Sequence, residues 1–147
     1  MSSSSNPPLF DQDGDPIDPA LHRLVATHPV LFRGRLPAVA SYVPAGWYPL
    51  VDELCRSIEA ELGPQGCEKI EVRQIKEKFA GLRFYLVERS LADVKSLPVE
   101  DAMDRVHALI RTACEQSERT CQKCGAPCVV HDVGGYLAAL CDTHLRG

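Results

Sequence analysis

The chain has 147 residues, 45% of them hydrophobic, and a formal net charge of −4. That length builds one ordinary globular domain without disulfide help, and no segment approaches the roughly 18 apolar residues of a membrane span. The basic excess that nucleic-acid binders usually carry is missing, because Asp11, Asp13, Asp15 and Asp18 supply the whole deficit and leave residues 21–147 formally neutral.

Residues 1–18 are rich in Ser, Pro and Asp, a composition that cannot bury enough apolar surface to offset its ordering entropy. They read as a disordered acidic tail. Residues 1–20 hold no Lys or Arg and no apolar run, so nothing there reads as an export signal. The expected compartment is a reducing cytoplasm. In it, an odd count of seven cysteines points to metal ligands and core thiols rather than disulfides.

A short helix is expected over 19–26, with Asp18 as cap and Pro19 at its first position. Pro29, Pro37 and Pro44 mark 29–45 as an irregular connection. From Gly46 onward, Trp47, Leu50, Val51, Leu54, Cys55, Ile58 and Leu62 keep to one helical face until Gly63-Pro64 stops the helix. Asp52, Glu53, Arg56, Glu59 and Glu61 make its other side acidic. Residues 68–88 then read as an antiparallel hairpin, in which Leu82, Phe84 and Leu86 alternate with Arg83, Tyr85 and Val87, and Gly81 suits the turn. A second amphipathic helix follows over 98–118. Trp47, Leu54, Ile58, Phe79, Phe84, Val106 and Ile110 are expected to share one core.

The strongest chemical signal is CQKCGAPCVVHDVGGYLAALCDTH, residues 121–144. Cys121 and Cys124 form a C-x2-C pair, and Cys141 and His144 a C-x2-H pair. Two intervening residues let both side chains of a pair converge on one ion, and Gly134-Gly135 can fold the stretch into a hairpin that brings the pairs together. The expected product is one structural zinc per chain in a closed Cys3His tetrahedron. Cys128 or His131 could replace Cys141 or His144 in an alternative set. Cys55, Cys67 and Cys114 fit apolar faces. His22 and His28 have no partners at ligand spacing, and His107 reads as a boundary histidine.

Between Lys69 and Arg89 six basic residues face three acidic ones. Lys76, Lys78 and Arg83, interleaved with Phe79 and Tyr85, could hold phosphates and stack bases. Pairing of this hairpin with the acidic helix is the competing reading. No Gly-rich phosphate loop and no nucleophile elbow occurs, and no enzyme is expected.

The stretches GWYPLVDELCRSIEAEL (46–62), VRQIKEKFAGLRFYL (72–86) and ERTCQKCGAP with ALCDTH (118–127, 139–144) together resemble an uncharacterised family of small bacterial and phage proteins. The resemblance spans Gly46 to His144. The family pattern commonly has glycine in place of Ala80, and glycine in place of Cys128. It implies a zinc-ribbon-like tail and no particular activity.

The sequence therefore predicts an α+β protein: a tail (1–18), a core of two amphipathic helices on a small antiparallel hairpin (19–118), and a zinc knuckle (119–147) packed on that core. The expected function is an intracellular protein-binding module, such as an immunity or inhibitor protein that neutralises a partner toxin or enzyme. The alternative is a nucleic-acid-associated accessory protein of phage or mobile-element origin, using the 69–89 hairpin and the knuckle.

Overall fold

A carboxylate at position 18 opens the first helix, behind a turn in which Phe10 bridges Pro16 and Ile17 N–H donates to the Leu9 carbonyl. In the computed structural model, which describes residues 9–10, 13–89 and 100–146, Asp18 accepts the backbone N–H of Leu21 at 3.2 Å and that of Val43 at 3.0 Å. One side chain thus caps α1 (Pro19–Thr27) and ties it to the distant connection. Residues 1–8 and 11–12 of the expected tail, and Pro98 and Val99 of the expected second helix, lie outside the described residues.

The proline-rich connection holds one helical turn, α2 (Pro29–Phe32), that its composition did not suggest. Arg33 ends this turn with φ 54°, and its guanidinium donates to the carbonyls of Cys67 and Ile70. A 3-10 turn (Ala45–Trp47) then feeds α3 (Tyr48–Cys67). Val51, Leu54, Cys55 and Ile58 are buried, as their spacing requires. Gly63, at φ 66° and ψ 175°, breaks the helix where expected, and Pro64 opens one further turn instead of leaving the helix altogether.

Strands β1 (Ile70–Lys78) and β2 (Gly81–Glu88) form the antiparallel hairpin. Ile70, Val72 and Ile75 are all buried although their spacing changes from two to three. A bulge at Arg73 absorbs the extra residue and shifts the register there. Residues 39–42 cover the outer edge of β1: Val39 N–H donates to the Arg73 carbonyl and Tyr42 N–H to that of Ile75. The connection is irregular because it serves as an edge guard.

The turn corrects two expectations. Its central residues are Phe79 and Ala80, at φ 54° and 70°, while Gly81 is already paired with Lys78. A two-residue hairpin loop of this kind needs positive φ at both centres to match strand twist, so Phe79 and Ala80 adopt it despite their Cβ atoms. Glu77 helps by accepting the Ala80 N–H at 2.9 Å. Phe79 is consequently 65% exposed and not part of the core, whereas Phe84 is 4% exposed.

Helix α4 (Glu100–Ser117) packs on α3 and β2, burying Val106 and Ala113, with Ile110 half-buried. Ser117 Oγ accepts the Leu82 N–H at 2.8 Å, which seals the end of β2 against the helix. The acidic side of α3 is engaged by partners on the helices. Arg56 bonds Asp52 and Glu53 within α3, Arg105 of α4 bonds Glu61, and Glu59 meets His28. A second ribbon, β3 (Val129–Val133) and β4 (Tyr136–Leu140), turns at Gly134-Gly135 and leads to α5 (Asp142–Arg146). The architecture is α+β with two small antiparallel sheets. Among the described residues no helix is long and apolar enough to cross a membrane.

Candidate metal centre

The knuckle begins where Thr120 bridges Pro127. Cys121 N–H donates to the Ala126 carbonyl at 2.7 Å, and Gly125 N–H to the Cys121 carbonyl at 2.8 Å. This tight loop needs φ 84° at Gly125, a conformation a side chain would strain. It sets the Cys121 and Cys124 sulfurs on one side. Gln122 fastens the loop to β4, its N–H donating to the Ala139 carbonyl while its side-chain oxygen accepts the Ala139 N–H. At the other end, α5 carries His144 one helical turn beyond Cys141.

The donor atoms of Cys121, Cys124, Cys141 and His144 all lie within 4.8 Å of one another. Cys124 Sγ stands 3.7 Å from Cys141 Sγ, and His144 Nδ1 stands 3.7 Å from Cys121 Sγ and 3.2 Å from Cys141 Sγ. A tetrahedral ion with metal–sulfur bonds of about 2.3 Å sets its sulfurs about 3.8 Å apart. The spacing of the four donors fits a coordination shell, with His144 offering Nδ1. Cys121 is buried, Cys124 is exposed, and the other two are half-buried.

Electrostatics point the same way. Burial alone would raise the Cys121 thiol, yet backbone N–H groups of Cys141, Cys124 and Lys123 directed at its sulfur bring it down to about 6. The N–H of Ala126 pulls Cys124 down, but desolvation and the neighbouring sulfurs of Cys141 and Cys121 outweigh it and hold that thiol above its ordinary value. Crowded sulfurs cannot all ionise side by side unless a cation sits among them.

The inner candidates stand outside this group. Cys128 is fixed by its N–H to the Arg119 carbonyl, and burial first, then the charges of Cys121, Cys141 and Cys124, push its thiol up. His131 sits mid-strand opposite Ala138. Burial likewise raises the thiols of Cys55, Cys67 (to about 11) and Cys114.

Two arrangements escaped sequence reasoning. His28 is buried between Asp52 and Glu59, residues 24 and 31 positions away, and only the α2–α3 packing brings them together. Gly46 and Trp47 lie directly against the knuckle. The helical pattern marked Trp47 as a core residue but carried no sign of what it would touch. No family model, no curated protein and no solved structure matches this chain.

Proposed function

We propose that the chain is a zinc-stabilised protein-binding module, of the kind that masks a partner toxin or enzyme. Three thiols and one imidazole in a closed tetrahedral set suit zinc in a structural role, because no position is left open for a substrate. The observation that carries the binding role is the outer surface of β3–β4. Val129, Val133 and Tyr136 are exposed there on one face, Tyr136 by 79%. Between Gly125 and Cys141 the sole charged residue is Asp132. A charge-poor apolar patch bearing an exposed tyrosine has the composition of an interface centre. The raised thiols of Cys55, Cys67 and Cys114 also favour binding over nucleophilic catalysis, which needs a thiolate.

A photo-crosslinking residue placed at Tyr136 in the native host tests this. A discrete protein adduct, absent when the probe is moved to Glu88 and lost with Val129→Ser and Val133→Ser, is the expected result. Adducts only to nucleic acid would overturn it.

One observation favours the nucleic-acid reading. Lys76, Lys78 and Arg83 lie on the outward face of the β1–β2 hairpin with Tyr85, and among the described residues none of the three cations forms an ion pair. Lys78 Nζ instead sits 5.5 Å from the Phe79 ring centroid. Binding of that kind would weaken steeply with salt, since each phosphate contact releases counterions. Fluorescence anisotropy with short single-stranded probes at about 150 mM salt separates the readings. Micromolar binding abolished by Lys76→Glu with Lys78→Glu would favour the hairpin.

A further inference from the structure

The metal centre has a neighbour 75 residues upstream that touches no ligand sulfur but shapes the loop carrying two of them. Gly46 donates its N–H to the Gln122 carbonyl at 2.9 Å. A Cβ at Gly46 would lie 2.0 Å from the Cys121 carbonyl oxygen, 2.6 Å from the Gly125 nitrogen and 2.7 Å from the Cys124 nitrogen. All three are backbone atoms, so no side-chain rotation can relieve the overlap. From the other side, a Cβ at Gly125 would meet the Gly46 carbonyl at 3.1 Å. The two glycines permit backbone to lie on backbone. Next in sequence, Trp47 is fully buried and donates its indole N–H to the Thr120 carbonyl at 2.8 Å, one residue before the first ligand.

We infer that Gly46 and Trp47 are positioning residues of the metal centre, and that metal occupancy and the seating of Trp47 are thermodynamically coupled. The Cys121–Gly125 loop holds few apolar side chains of its own. The ligand shell clamps one side of it and the Gly46–Trp47 corner clamps the other. Loss of the ion frees the loop, withdraws the Thr120 acceptor and loosens the corner from which α3 starts. Coupling of this kind is reciprocal: if the ion seats Trp47, then a seated Trp47 must tighten the ion. Partners that orient metal ligands from outside the shell commonly contribute 10–100-fold to metal affinity.

The inference rests on the Cys3His cluster holding a metal, which full-length wild-type protein tests first by taking up cobalt(II). Absence of thiolate-to-cobalt absorption would sink the metal reading itself. Given uptake, the coupling is read in two ways. Stripping the ion with a chelator should move the emission of Trp47, the single tryptophan, to the red, and zinc should restore it. Gly46→Ala should weaken cobalt and zinc binding about 10–100-fold in a competition titration, with Trp47→Phe smaller but in the same direction. Gly134→Ala is the control, because Gly134 lies in the same knuckle but has nothing within 4 Å of its Cβ position; it should leave affinity unchanged. Unaltered emission in protein shown to be metal-free would overturn the coupling. So would wild-type affinity and cobalt spectrum in a folded Gly46→Ala. If that variant does not fold, Trp47→Phe with wild-type affinity, or the wild-type emission result, decides against it.

Discussion

His28 Nε2 lies 2.6 Å from Asp52 Oδ1, while its other ring nitrogen lies 2.9 Å from Glu59 Oε1. The ring is 3% exposed and sits at the junction of α1 and α2, so it binds that corner to two points of α3 about two turns apart. Glu59 also accepts the Leu31 N–H at 3.0 Å. His28→Ala would leave two carboxylates facing each other across a void. Removing the partner of a buried charge costs about 3–5 kcal/mol. The carboxylates here are 23% and 18% exposed, so water offsets part of that and a loss of about 2–4 kcal/mol is expected. Urea denaturation measures it, and a loss below about 1 kcal/mol would show the ring to be a passenger.

Asp52 adds a pH dependence. Burial would raise its carboxyl, but hydrogen bonds from His28 and Arg56 hold it below the usual carboxylate value. A carboxylate depressed on folding stabilises the fold above its unfolded pKa, and that contribution fades as pH falls through its folded pKa. Wild type should therefore exceed Asp52→Asn in stability at pH 6, with the gap narrowing below about pH 4. A gap that is constant from pH 6 to pH 3 would contradict the ionised, hydrogen-bonded Asp52.

For the ion itself, elemental analysis of protein purified without chelator should find one zinc per chain. Cys141→Ser should lose it and Cys128→Ser should keep it, because Cys128 stands outside the four-donor group. The opposite pattern would move the site to the inner pair.

Two phenylalanines of one hairpin should respond in opposite directions. Phe84→Ala removes a buried ring and should cost about 3–5 kcal/mol. Phe79→Asn should stabilise by roughly 0.5–1 kcal/mol, since asparagine tolerates the left-handed backbone at this exposed position better than phenylalanine does. Equal losses at both sites would mean that Phe79 packs after all.

The helices, the hairpin and the donor quartet were legible in the sequence because each follows from local spacing. Periodicity marks the buried side of α3, and paired ligand spacing marks Cys121, Cys124, Cys141 and His144. The turn was misread because glycine is the usual sign of positive φ, whereas the two-residue loop geometry imposed that conformation on Phe79 and Ala80. His28 was invisible for another reason. Its significance lies in residues brought near by packing, and no spacing rule connects position 28 to positions 52 and 59. The same holds for Gly46, whose missing side chain has meaning only once Cys121 and Gly125 lie against it.

The bulge at Arg73 gives β1 one position where chain length can change without turning the strand over. Removing Arg73 would leave Ile70, Val72 and Ile75 at an even spacing of two, so the same side chains would still face inward in a regular ladder. Removing Arg83 from β2 would do the reverse, sending Phe84 outward and Tyr85 inward. Relatives of different length should therefore gain or lose a residue at the first position and not at the second, and a deletion scan of the two strands would recover the same asymmetry.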